Sequence, residues 1–259
     1  MPTDVPKKVR IGDEPEFNIE GDTTVETPFQ RMAVSTHATL VLGNIIYALM
    51  HLSVTHGSLP MLPVLATFLL SVVVGDFGTG VFHWSVDNYG SINTPIFGSV
   101  CEAFQGHHNT PWTITFRSFI NNTYKIAIGT FLPLALLTVS GAQDYIRMFM
   151  ALFINWWLIS QEFHKYTHFK NQEENVPAFW RALGNAGIIL PKSMHGKHHT
   201  SPFQGNYCIL TGWCNPILDE TQFFRKLEKI VYETTGNEPN TWNEEKGGEK
   251  VRKEAMSMV

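Results

Sequence analysis

Between Met32 and Gly75 the chain runs for 44 residues without an Asp, Glu, Lys or Arg. A helix needs about 20 apolar residues to cross the bilayer core, so this run holds two crossings. His56-Gly57-Ser58, with Pro60 beyond, splits it into spans at about 33–54 and 60–82. Ile126–Gln143 is a further uncharged run of 18 residues, and after Asp144 and Arg147 another 14 follow at Met148–Gln161. These predict spans three and four at about 125–141 and 145–164, joined by a tight turn at Gly141. The apolar stretches 96–106 and 176–190 are too short to cross and read as interfacial or re-entrant helices. The predicted fold is all-α and integral to the membrane, with four transmembrane helices and short interfacial ones in a domain over 31–235.

The ends are polar. Residues 1–30, rich in acids, read as a disordered tail, and 236–259 as a polar C-terminal tail whose last dozen residues are disordered. Just before the latter, Phe223, Phe224, Leu227, Ile230 and Val231 share one face of an amphipathic helix. That helix is expected to pack on the domain or lie on the lipid. The first thirty residues lack the apolar core of a secretory signal and the Ser/Arg-rich, acid-poor make-up of a transit peptide. An endoplasmic reticulum membrane is therefore expected, with a plastid membrane as the alternative. A net charge of -4 gives no basic field for nucleic acid. Cys101, Cys208 and Cys214 are odd in number and form no C-x-x-C pair, which argues against a disulfide framework.

Histidine carries the chemistry. His195, His198 and His199 fall at offsets 0, 3 and 4 and share a helical face, as do His164 and His168 at i, i+4. His107 and His108 are adjacent, and His83 ends the second apolar segment. Four spans would bring all eight to one membrane face. Eleven Lys and Arg, from Lys7 to Lys197, lie on that side against little beyond Arg147 on the other, so the face is expected to be cytosolic, or stromal in a plastid. Eight imidazoles are too many for one zinc and suit a pair of ions. Histidine and carboxylate ligands with open positions suit iron that binds O2. Such a site would remove hydrogens from an unactivated chain entering from the bilayer. No haem or flavin motif is present, so electrons would come from a partner protein of haem-carrier or ferredoxin type.

Asp76, His83 and Asp87 form one helical stripe, and Glu102 and Gln105 precede His107. For Asp76 and Asp87, receiving a ligand histidine's N–H ranks first and direct ligation second, with a plain polar bond to a neighbouring helix as the remaining reading. Glu102 and Gln105 are candidates for that same supporting role. His37, His51 and His56 lie apart and read as core or interfacial, and Trp156 and Trp157 as interfacial anchors. Gly75, Gly78 and Gly80 permit close helix approach. No H-E-x-x-H, G-x-S-x-G, phosphate loop or dinucleotide fingerprint occurs.

Three motif blocks make the chain resemble the membrane lipid desaturase family. They are Gly75-Asp76-Phe77-Gly78-Thr79-Gly80 with His83-Trp84 and Asp87-Asn88-Tyr89-Gly90; Glu102 to His108 with Pro111-Trp112-Thr113-Ile114-Thr115; and His195-x-x-His198-His199 with Asn206-Tyr207-Cys208-Ile209. The resemblance covers about residues 65–235. It implies that His83, His107, His108, His164, His168, His195, His198 and His199 hold iron. The family takes in plasmanylethanolamine desaturase, which forms the vinyl ether of plasmalogens. It also takes in the plastid enzyme fatty acid desaturase four, which puts a trans double bond near the carboxyl end of an acyl chain of phosphatidylglycerol. Asp-Asn-Tyr-Gly and Phe-Gln-Gly-His-His look closer to the plastid acyl enzyme. A membrane lipid hydroxylase and a non-catalytic metal-binding membrane protein are the other readings that the histidines admit.

Overall fold

The computed structural model describes Gly12 and residues 14–258, and every described element is helical. Four long helices form the body: α1 Pro28–His56, α2 Met61–Asn88, α4 Phe119–Val139 and α5 Asp144–His168, with α3 Gly98–His107 between the second and third of these. Thr27 begins α1 through a reciprocal cap with Gln30, Pro28 fills the first turn, and Gly57 at φ 72° ends it. α5 sits in the middle, with α2 on one side and α1 and α4 on the other. Glycines set the α2–α5 spacing: a Cβ on Gly75 or Gly78 would come within 3.1 Å of Trp156 or Trp157. Those two tryptophans therefore pack between the helices, Trp156 donating Nε1–H to Ser71 Oγ at 3.0 Å, instead of serving as the expected interfacial anchors.

α1, α2 and α4 are long and apolar enough to cross a membrane. Their outward faces expose Leu42, Met50, Val54, Leu62 and Leu132, each by more than half, as a lipid-facing surface requires. α5, at the place of the expected fourth span, is 25 residues long, but Gln161, Glu162, His164, Lys165 and His168 make its last two turns polar. Each helix extends several residues past its predicted span at the histidine end: α2 carries on through Asp87, α4 begins at Phe119, and α5 runs to His168. Apolar runs mark the bilayer core, whereas the helices project beyond it, and the projecting turns carry the chemistry.

At the far end Arg147 is buried and donates to the carbonyls of Leu137 (2.7 Å) and Ser140 (2.6 Å) and to Asn44 Oδ1 (2.8 Å). A cation thereby meets the carbonyl terminus of α4. After α5 come α6 Gln172–Asn175, α7 Ala178–Asn185, α8 Lys192–His198, α9 Asn215–Glu220, α10 Phe223–Thr235 and α11 Gly248–Ser257.

Both tails depart from the expectation of disorder. Residues 1–11, 13 and 259 lie outside the described residues, but 14–27 form a strap over α3 and the start of α4. Glu16 exchanges two 2.9 Å hydrogen bonds with Thr113, Trp112 donates to the Glu14 carbonyl, and Asp22 accepts from Arg117 at 2.6 Å. At the other end α10 lays Phe224 against Trp84 and Tyr207. Buried Glu228 accepts from Arg225 (2.6 Å) and Trp242 (2.9 Å), and Val251 and Ala255 of α11 close over Trp242. Local composition reads as solvated tail in both places; the first is held by partners about a hundred residues away, and the second folds its apolar side chains onto Trp242 and α10.

Candidate metal centre

All eight sequence-selected histidines meet at the end of the bundle formed by the close of α2 and the close of α5. They fall into two adjoining groups: His107, His164, His168, His195 and His199; and His83, His108 and His198 with Asp87. Within each group the donor atoms lie within 4.8 Å of one another. His107 Nε2 stands 3.1 Å from His164 Nε2 and 3.0 Å from His168 Nε2, and His195 Nε2 stands 3.0 Å from those of His168 and His199. In the second group, Asp87 Oδ2 is 3.2 Å from His83 Nε2, 3.4 Å from His198 Nε2 and 3.5 Å from His108 Nε2. The groups touch through His199, whose ring centroid is 5.0 Å from His107 and 5.2 Å from His108.

These separations fit metal coordination. Bonds of about 2.1 Å at right angles place neighbouring donors about 3.0 Å apart. His83 Nδ1–H donates to the Tyr207 carbonyl and His198 Nδ1–H to the Gly205 carbonyl, each at 3.0 Å. Both bonds fix the tautomer that turns the Nε2 lone pair inward. Neither Asp87 oxygen has a hydrogen-bond donor, although the side chain is only 1% exposed. A buried carboxylate among inward lone pairs is costly unless a cation sits between them. The donor set therefore suits two metal ions.

Burial and neighbouring histidines push the His107 and His195 imidazoles well below their ordinary range, and bring His199 down to about 2. Burial also lowers His108, to about 4, against an opposing pull from Asp87. Neutral imidazole is the coordinating form, so the site is ready for metal at neutral pH. With the folded values depressed, acid adds protons to the unfolded chain first. The metal-stripped protein is expected to lose stability as pH falls below about 6.5, by about 1.4 kcal/mol per histidine per unit until the folded value is reached. A melting midpoint of chelator-treated protein that is equal at pH 7.5 and 5.5 would contradict this.

The acidic and amide candidates take different places. Asp87 stands within the second donor group, its Oδ2 3.2 to 3.5 Å from three histidine Nε2 atoms. Asp76 contacts no histidine: its oxygens accept the backbone N–H of Thr211 (2.8 Å), Gly212 (2.9 Å) and Cys214 (2.9 Å). It pins the segment that carries Tyr207. Gln105 donates to the carbonyls of Val86 (2.9 Å) and Gly90 (3.3 Å), tying α3 to the end of α2 without touching a histidine. Glu102 is half-buried and has no hydrogen-bond partner among the described residues. His37, His51 and His56 stay outside both groups; His37 pairs with Thr130 and His51 with Asp144.

Sequence reading gave no role to the 203–212 loop. Tyr207 is fully buried, and Phe203 stacks on His108 at 4.5 Å between centroids. Gly205 and Gly212 take φ of 72° and 75°. A Cβ on Gly80 would meet Cys208 Sγ at 2.4 Å, which is how this loop reaches α2. A backbone carbonyl leaves no residue-type signature, so only the Asn206-Tyr207-Cys208-Ile209 motif hinted at it.

Residues 72–242 match the family model described as a lipid desaturase domain. Fatty acid desaturase 4-like 1, chloroplastic, of Arabidopsis thaliana is 35% identical over 232 residues, which cover 89% of this chain and 77% of the relative. Fatty acid desaturase 4, chloroplastic, of the same plant is 39% identical over 173 residues, 66% of this chain and 53% of the relative. Plasmanylethanolamine desaturase 1 of Mus musculus is 28% identical over 225 residues, 83% of this chain and 80% of the relative. No solved structure matches. The matched region contains every histidine of the two groups, and the chain belongs to the lipid desaturase family, as a membrane oxidoreductase.

Proposed function

We propose that this chain is an O2-dependent di-iron desaturase that introduces a double bond into an acyl or alkyl chain of a phospholipid. The observation that carries the reading is the convergence of eight histidines and Asp87 into two adjoining donor groups at one end of an apolar bundle. Bound iron supplies the oxidising power, using O2 and electrons from a haem-carrier or ferredoxin-type protein. His107, His164, His168, His195 and His199 hold one ion; His83, His108, His198 and Asp87 hold the other. Tyr207 and Gly205 keep two of these rings in the coordinating tautomer through their carbonyls. The packed walls of α2 and α5 exclude water from the reacting chain. The metal-bearing end faces the cytosol, or the stroma in a plastid, with α5 as the fourth span.

An acyl-lipid desaturase like fatty acid desaturase 4 is favoured, since those relatives are 35% and 39% identical against 28% for the mouse plasmanylethanolamine enzyme. Lipid analysis of a host expressing the chain tests this. New monounsaturated acyl phospholipids are expected with the wild type and none with His198→Ala. New vinyl ethers would shift the assignment to plasmalogen synthesis, hydroxylated lipid would make the chain a hydroxylase, and no oxidised lipid at all would remove the proposal.

A further inference from the structure

Two stretches that follow α5, residues 182–191 and 208–218, carry no Asp, Glu, Lys or Arg. Both come after the last of the long helices, beside the histidine end of the bundle, yet their outward side chains are apolar. Ile188 is 50% exposed, Trp213 46% and Ile217 63%. The two stretches form one surface. Trp213 donates Nε1–H to the Gly187 carbonyl at 2.6 Å, and Leu190 N–H donates to the Leu210 carbonyl at 3.1 Å.

This surface meets α2 at a depth that the bilayer occupies. Asp76, which receives the N–H groups of Thr211, Gly212 and Cys214, lies six residues inside the end of the apolar run at residue 82. At the helical rise that is about 9 Å. Cys214 Sγ–H donates deeper still, to the Val73 carbonyl at 3.6 Å. The outward side chains of α2 at this level are Val73 and Phe77, 43% and 37% exposed. Ile188, Trp213 and Ile217 therefore continue the lipid-facing surface of a spanning helix.

Non-helical backbone persists at such depth only when the protein itself satisfies its polar groups. It does so here. Cys208 N–H donates to Asn215 Oδ1 (2.8 Å), Ile209 N–H to Thr79 Oγ1 (3.1 Å), Trp213 N–H to Thr211 Oγ1 (3.2 Å) and Asn215 N–H to the Gly212 carbonyl (3.2 Å). The indole N–H of Trp213 also has its acceptor inside, so the exposed part of that ring is hydrocarbon alone.

We propose that residues 187–190 and 211–217 form a re-entrant lip embedded among the acyl chains of the leaflet on the histidine side. Its partner is lipid hydrocarbon, met by Ile188, Trp213 and Ile217. His83 lies seven residues beyond Asp76 on α2, so the second donor group stands at the edge of the hydrocarbon. The loop that orients His83 and His198 is then backed by lipid instead of water.

The full-length protein is reconstituted in phosphatidylcholine nanodiscs, where both faces meet solvent. A phosphatidylcholine bearing a diazirine on its acyl chain is photolysed, and crosslinked peptides are mapped by mass spectrometry. Crosslinks are expected at 187–190 and 211–217 as well as on the outward face of α2, and none on α11. Ile188→Cys and Ile217→Cys are expected to react with a membrane-impermeant maleimide about tenfold more slowly than Lys253→Cys, because a thiol in hydrocarbon neither ionises nor meets the reagent. Lys253 is a suitable standard, its side chain 74% exposed on α11, and the wild type gives the background of the native cysteines. Crosslinks confined to the long helices would overturn the proposal, as would either new thiol reacting as fast as Lys253→Cys. Slow thiols without crosslinks would overturn it too, since another protein surface or a second copy would then cover the patch. Neither readout needs turnover, so the result stands apart from the desaturase reading.

Discussion

Asp87→Asn is expected to cut bound metal from two ions per chain toward one and to lower desaturation by about a hundredfold or more. Altering a group that merely supports a ligand already costs about 10–100-fold, and on the proposed reading Asp87 is itself a ligand. Its Oδ2 faces the Nε2 atoms of His83, His108 and His198 at 3.2 to 3.5 Å. The five-histidine group keeps all its donors, so its ion is expected to stay. The same substitution has the opposite effect on stability without metal. The His83 and His198 tautomers are fixed by the Tyr207 and Gly205 carbonyls, so their Nε2 lone pairs face a carboxylate that has no donor. An amide in its place donates to those lone pairs and removes a buried charge. The metal-stripped variant is expected to be more stable than metal-stripped wild type by about 1–3 kcal/mol. Metal analysis and melting of the two proteins, with and without chelator, check both halves. A variant that binds two ions, or a stripped variant that melts lower, would show that Asp87 is no ligand.

Asp76→Ala is expected to destabilise the protein on the order of 4 kcal/mol and to lose metal as a consequence. Asp76 is fully buried in α2, two turns before His83, and its two oxygens take three backbone N–H groups from the 211–214 turn. Alanine strands all three donors. Thr79 adds a second tie to the same loop, accepting the Ile209 N–H at 3.1 Å. Loosening this loop frees the Tyr207 carbonyl that orients His83. Asp76→Asn is expected to cost less, because one oxygen still accepts from Thr211 and Gly212 while the amide nitrogen faces the Cys214 N–H. Thermal unfolding of the two variants in detergent gives the order. If alanine melted with the wild type, Asp76 would be no anchor, and a role nearer the metals would have to be sought.

The two substitutions show why identical residues eleven positions apart on one helix differ. Their shared stripe was visible in the sequence, and both could be named as buried acids of interest. Which one meets histidine rings and which meets backbone depends on what lies opposite. For Asp87 that is His108 and His198 from other elements beside His83 of its own helix; for Asp76 it is a loop 135 residues later. The same holds for the tails, where Glu16 meets Thr113 and Asn240 meets the Asp87 carbonyl.

The sequence by itself determined the long helices and which histidines would come together. Long charge-free runs can be accommodated only as lipid-facing helices, because charge is costly in hydrocarbon, and helical or adjacent spacing groups eight histidines before any packing is known. An even number of apolar runs between the groups then sends them to one end of the bundle. Only the tertiary structure decided how the eight divide into five and three, that Asp87 joins the three, and that backbone carbonyls of the 203–212 loop orient two of the rings. Periodicity reports which face of its own helix a side chain occupies. Coordination geometry depends on distances between elements, set by glycine-sized contacts such as Gly80 against Cys208 and by carbonyls that every residue type carries alike.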